Sequence, residues 1–269
     1  MIKNKKILAI GGLFALLIGI TAWLGYTNRQ ETGLSENLNY SAEEKLIEDT
    51  TDFYRITARY PVDALDKEGV MEEFVKYQVN QKKEDWKVGG EIYNQEKEIE
   101  EDFPDRPKMV YSMDINYERY ESVESEAVSY LFTIGEYTGG ANGNARVQSF
   151  SFNQNGQILI EDILDLASNG NDIALSRVLL DKALSEPDKY PVADMVKEGL
   201  GLAYLKDDGI TFDQEKCKCD GFLFASNFQN FVIKDDGITF FFSKYQITIG
   251  ASGVADITLD WSELSPYLK

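Results

Sequence analysis

The chain has 269 residues, 43% of them hydrophobic and 12% aromatic, a composition that can bury a core and excludes disorder for the whole. It contains no histidine, which removes Ser-His-Asp and Cys-His nucleophile systems, zinc hydrolase sites and histidine-bound deacetylase metals. The net charge is −19, with Lys3, Lys5 and Lys6 ahead of the first acid and 24 basic against 46 acidic residues after Tyr26. Such a field repels nucleic acid and anionic lipid surfaces and favours basic partners; acidity also keeps an exported domain soluble.

Residues 7–26, ILAIGGLFALLIGITAWLGY, form an uncharged apolar run of 20 residues. At a helical rise of ~1.5 Å per residue this run matches the thickness of a bilayer core. Lysines precede it and only Arg29 follows closely, so the positive-inside rule places residues 1–6 in the cytoplasm and the bulk outside. The run exceeds a signal-peptide core and no Ala-x-Ala-like site follows, which favours an uncleaved single-pass anchor in the cell membrane. Residues 27–49 are polar and read as a linker.

Residues 53–60 alternate as a strand ending at Pro61, and about 64–86 carries Val70, Met71, Phe74, Val75 and Val79 at helical spacing. Glu96 to Asp102 is acidic and reads as a solvated loop. Met109 to Tyr117 alternates strictly, 128–134 and 147–152 are further strands, and Asn153–Gly156 is a hairpin turn. That turn has an EF-hand-like rhythm, but its flanks alternate like strands rather than helices. Residues 171–185 form an amphipathic helix with Asn171 as its cap, and a second helix runs over 192–205. The remainder is β-rich, with strands at 222–224, 230–233, 238–242, 245–249 and 255–259.

Lys-Asp-Asp-Gly-Ile-Thr-Phe occurs twice, at 206–212 and 234–240, and Asp-Gly between apolar runs signals a hairpin. The aspartate pairs 207/208 and 235/236 therefore belong to turns rather than to an acid–base pair. Cys217 and Cys219, the only cysteines, would face one side of a strand with Cα atoms ~6.6 Å apart, near the upper limit for a disulfide. Two thiols alone cannot complete a zinc site, and no pattern calls for a metal or cofactor.

Tyr137-Thr138-Gly139-Gly140-Ala141-Asn142-Gly143-Asn144 lies between two strands where a hairpin needs only about two to five residues. Its glycines permit positive φ and expose backbone N–H groups, as an anion- or glycan-binding loop would; a structural turn is the alternative. No Gly-Lys-Ser/Thr follows, so it is not a phosphate-binding P-loop.

The Tyr-Thr-Gly-Gly-Ala-Asn-Gly loop at 137–143, Ser-Phe-Asn-x-x-Gly at 151–156 and Glu161-Asp162-Ile163-Leu164 before a helix resemble an extracytoplasmic domain pair. So does the closing pattern of Asn230-Phe231, Asp236-Gly237-Ile238-Thr239-Phe240, Tyr245-Gln246-Ile247, Gly253 and Leu264. This pair accompanies the catalytic module of PdaC-type peptidoglycan deacetylases and forms the lysozyme-binding part of RsiV-like anti-sigma factors. The family has histidine where this chain has Asn142, and Pro-Tyr where it has Ile249-Gly250. With neither a catalytic module nor room for a sigma factor in six residues, the resemblance implies the binding domain alone. Its candidate contacts are Tyr137, Thr138, Gly139, Gly140, Asn142 and Tyr245.

The expected architecture is α+β: mixed antiparallel sheets with a few helices in two subdomains, 50–165 and 166–269, preceded by one transmembrane helix. The expected function is non-catalytic binding at the cell envelope of a basic protein such as lysozyme, or of a peptidoglycan fragment. A carboxylate-dependent cell-wall glycan hydrolase and a structural spacer of a membrane complex are the alternatives.

Overall fold

In the computed structural model the described residues are 43–99, 110–139, 142–213, 215–217 and 224–269. The expected anchor at 7–26 lies outside them; among the described residues no helix is long and apolar enough to cross a membrane.

Six strands form the larger sheet in chain order: β1 (Glu43–Thr50), β2 (Tyr54–Val62), β3 (Tyr111–Ser122), β4 (Ala127–Tyr137), β5 (Asn144–Asn153) and β6 (Gly156–Ile158). All neighbours are antiparallel except β2 and β3, which run parallel with Ile56 opposite Met113. A parallel pair needs a long crossover, and α1 (Val70–Ile99) supplies it. The helix starts where Asp66 accepts the Val70 and Met71 N–H groups at 2.9 and 3.0 Å, with Glu72 and Glu73 in the first turn.

Period-two alternation then decides the core. Tyr54, Ile56, Ala58 and Tyr60 of β2, Met113 and Ile115 of β3, and Val128 to Ile134 at alternate positions of β4 bury against Met71, Val75, Val79 and Trp86 of α1. A second core lies under the antiparallel sheet of β7 (Phe231–Lys234), β8 (Gly237–Phe242) and β9 (Ala255–Asp260). It is covered by α3 (Asn171–Leu184) and α4 (Ala193–Gly199), which follow the single turn α2 (Ile160–Ile163); α5 (Trp261–Leu264) follows β9 and leads into a 3-10 turn at Ser265–Tyr267. Ala127, Ile160 and Leu164 join this second core.

The two sheets meet through hydroxyl groups. Buried Ser149 accepts the Phe231 N–H at 2.7 Å, Ser129 accepts the Ile233 N–H at 3.1 Å, and Ser129 and Ser151 share a hydrogen bond of 2.8 Å. Leu131 and Val147 pack on Val232 beside this ladder. A β7 edge that would otherwise bury orphan donors is satisfied by side chains of the larger sheet.

Several expectations are corrected. Residues 43–50, assigned mostly to the linker, form β1. Glu96–Ile99, assigned to a loop, continues α1, since Glu and Lys are good helix formers. Pro61 does not end β2: it lies past the last β3 pair, Ala58–Ile115, where a missing N–H breaks no ladder on that side. Gly170 at φ +71° caps α3, whereas Asn171 is its first residue and donates to the Asp165 carbonyl. The helix expected over 192–205 stops at Gly199, followed by a 3-10 turn at Leu202–Tyr204. Phe224 opens a 3-10 turn, and 245–249 is not a strand.

Candidate functional site

β4 and β5 present the expected loop at one end of the larger sheet. The last paired residues are Glu136 and Asn144, so Tyr137 to Gly143 span the gap. An ion cluster fixes its base. Glu136 accepts from Arg146 on the neighbouring strand and from Lys82 of α1 at 3.1 Å, and Arg146 also reaches Gln78. Burial works to raise the Glu136 carboxyl, but the Arg146 and Lys82 cations outweigh it and hold its pKa below the ordinary value.

Beyond this base, Tyr137 is half-buried and Thr138 and Asn142 are exposed. Gly139 adopts φ +89°, which a side chain would strain. A Cβ on Gly143 would lie 3.0 Å from the Glu136 carbonyl. Gly140 lies outside the described residues.

Tyr245, the remaining candidate contact, is carried to the same place by a turn that follows β8. The Lys244 N–H donates to the Ala145 carbonyl at 2.9 Å, its ammonium donates to the Gly143 carbonyl at 2.5 Å, and the Val147 N–H donates to Ser243 Oγ at 3.3 Å. These bonds use the part of the β5 edge that short β6 leaves uncovered. Tyr245 itself sits at φ +71°, unusual for a bulky side chain, and is 50% exposed. Its ring covers Gly250, where a Cβ would meet ring carbon at 1.9 Å, and the Lys244 ammonium lies 5.1 Å from the ring centre. From behind, the Gln246 carbonyl presses on Gly199 at the end of α4, leaving no room for a Cβ there.

Residues 195–262 match the family model "Protein of unknown function (DUF3298)". The matched segment contains Tyr245, Gly199 and Gly250 but not the glycine loop. A solved DUF3298 structure from Bacteroides fragilis superposes with a TM-score of 0.51 at 18% identity, covering 85% of this chain and 94% of its own. One from Pseudomonas aeruginosa gives 0.52 at 10% identity, covering 87% and 97%. The α+β fold described above is thus also that of DUF3298 proteins, at identities that carry the fold alone. No curated protein matches the chain significantly.

Lys244, Glu136, Arg146 and Lys82 escape reading from the sequence, because nothing local links Lys244 to a loop 101 residues earlier. The Gly250 and Gly199 contacts escape it likewise. The aspartate pairs do occupy turns. Asp208 is held at a pKa of about 2 by the Thr211 side chain and then by the Thr211 and Ile210 N–H groups. The Glu124 N–H, followed by the Ser122 hydroxyl, lowers that of Asp235. Among the described residues no group of His, Cys, Asp and Glu could hold a metal ion. Cys217 is buried and disulfide-bonded; Cys219 lies outside the described residues.

Proposed function

We propose that this chain is a binding protein of the cell envelope, held to the membrane by residues 7–26, that contacts its ligand through the 137–143 loop and Tyr245. The observation that carries the reading is Tyr245: an aromatic ring kept half in water on a left-handed backbone, locked by Lys244 to the glycine loop. Strain of this kind, over-determined by its surroundings, gathers at ligand clamps, and tyrosine is a favoured anchor in interfaces. The resemblance of the loop to PdaC-type and RsiV-like domains supports the same surface.

Two ligands suit it, each on a different observation. The net charge of −19 would steer a cationic protein such as lysozyme and speed association. Exposed Tyr245, Thr138 and Asn142 beside a glycine-rich backbone suit a peptidoglycan fragment, whose sugars stack on aromatic rings and bond to amides. The hydrolase alternative is less favoured, since Glu136 is tied up by two cations and Asp208 and Asp235 by turns.

Titration of lysozyme and of soluble muropeptides into the full-length protein tests the reading. Tyr245→Ala or Asn142→Ala should lower affinity by at least about 1 kcal/mol without moving the thermal midpoint. A lysozyme complex should also weaken as salt shortens screening from ~8 Å at physiological strength to ~3 Å at 1 M, whereas a muropeptide complex should not. Binding of either ligand unaffected by both substitutions would place the surface elsewhere.

A further inference from the structure

A groove of about 470 Å3 opens between α3, α4 and the turns that follow α4. Its apolar wall is Leu180, Leu202 and Leu205, and three cations surround it: Arg177 on α3, Lys197 on α4 and Lys206 on the turn. Only one lining residue, Asp181, is acidic. In a chain where acids outnumber bases 46 to 27, this is a local reversal of sign.

Unlike most other cations, none of the three lies within ion-pair distance of a carboxylate among the described residues, although Asp208 attracts Lys206 through space. Lys182, on the same helix, is paired with Glu263, and Lys189, Lys82 and Arg146 are likewise paired with carboxylates. Among the described residues neither the Lys197 nor the Lys206 ammonium has an ion-pair partner, and Arg177 spends one N–H on the Gly209 carbonyl. That bond aims the guanidinium. Gly209 stands at φ +71°, a Cβ there would come within 2.9 Å of the guanidinium, and Asp208 pins the turn by accepting the Ile210 and Thr211 N–H groups. The turn is therefore shaped around Arg177, leaving that residue's other donors available. Three positive charges against the single Asp181 carboxylate leave the groove lining net positive, and an anion among them neutralises that excess.

We infer that the groove binds a small organic anion, with a carboxylate or phosphate seated among Arg177, Lys197 and Lys206 and a short apolar portion against Leu180, Leu202 and Leu205. Arginine offers a planar fork to either group, and the lysines add point charges. The site is separate from the Tyr245 surface and does not depend on the function proposed for it.

Calorimetry on the full-length protein tests this with two charged probes, N-acetyl-alanyl-alanine and hexyl phosphate, each beside its uncharged counterpart, the peptide amide and hexanol. At least one charged probe should bind in the millimolar range or tighter, with its neutral counterpart about fivefold or more weaker. The probe that binds identifies the source of the anion. Lys197→Gln and Lys206→Gln should each weaken that probe by about fivefold, the upper worth of one exposed ion pair. Lys182→Gln and Asn142→Ala should leave it unchanged, and all four variants should keep the wild-type thermal midpoint. Equal affinity for charged and neutral probes, no binding of either anion, or an equal loss in Lys182→Gln overturns the inference.

Discussion

The Lys244 ammonium donates to the Gly143 carbonyl at 2.5 Å, tying the turn that carries Tyr245 to the end of the glycine loop. Lys244→Met keeps the aliphatic stem and the backbone bond to Ala145 while removing this one. Amide exchange at Gly143 and residue 244 should quicken by about tenfold, or about 1.4 kcal/mol of local stability, with little change in global unfolding. Unchanged exchange would mean that the turn holds its place without the latch.

Tyr245→Gly separates the demands of folding from those of binding. Glycine accepts φ +71° freely, so the variant should match or exceed wild-type stability by up to about 1 kcal/mol in denaturant unfolding. Ligand affinity should fall by at least about tenfold. A clear loss of stability would instead make the ring on Gly250 a packing device.

Glu136 gives the loop base a pH dependence of definite sign. Because its folded-state carboxyl titrates below the ordinary 4.5, its contribution is present above about pH 4.5 and is lost as pH falls through the depressed value. Glu136→Gln should cost about 1–2 kcal/mol at neutral pH, and the difference from wild type should shrink as pH falls below the ordinary carboxyl range and through the depressed value. A difference that stays constant with pH would rule out the ion cluster as its source.

The hydroxyl ladder between the sheets can be broken one rung at a time. Ser149→Ala leaves the buried Phe231 N–H without its acceptor, at a cost of about 1–3 kcal/mol in urea unfolding. Ser129→Ala should act similarly through Ile233 and also deprive Ser151 of its partner. Neutral effects at both sites would mean that water replaces the hydroxyls.

The proposed anchor makes a cellular prediction. The protein should remain in the membrane fraction after a carbonate wash while external protease digests its bulk. Recovery of a soluble form beginning near residues 22–30 would refute it.

Strands with one buried face were legible in the sequence. Ile56 and Ala58, and Met113 and Ile115, announce β2 and β3 because one-sided burial imposes alternation. β1 was not, because this edge strand buries neither face well: Glu43 to Leu46 are all exposed, so nothing in Glu-Glu-Lys-Leu separates it from a tether. The turn at Tyr245 failed in the opposite way. Its aromatic and β-branched residues have strand propensity, but the bonds of Lys244 and the approach of Gln246 to Gly199 override it.

The repeated heptapeptide shows context deciding outright. At 234–240 it makes the β7–β8 hairpin, with Lys234 opposite Gly237. At 206–212 the same letters make a turn closed by a single bridge between Leu205 and Phe212, with Gly209 against Arg177. The candidate loop could be read from its own glycines, whereas its junction with Lys244 depends on contacts 101 residues apart that no local pattern encodes.

The position of β1 also governs how the fold carries mechanical load. Tension applied at Glu43, opposite Val62, acts on a strand that among the described residues is paired along one edge only. Pulled along its axis, β1 loads its eight residue pairs together and resists as a shear joint; pulled sideways, it opens pair by pair from Glu43 towards the Thr51–Phe53 turn. A pull applied at Glu43 should therefore detach β1 first, at a force set by the direction of pull, while the α1 core and the Tyr245 turn remain intact.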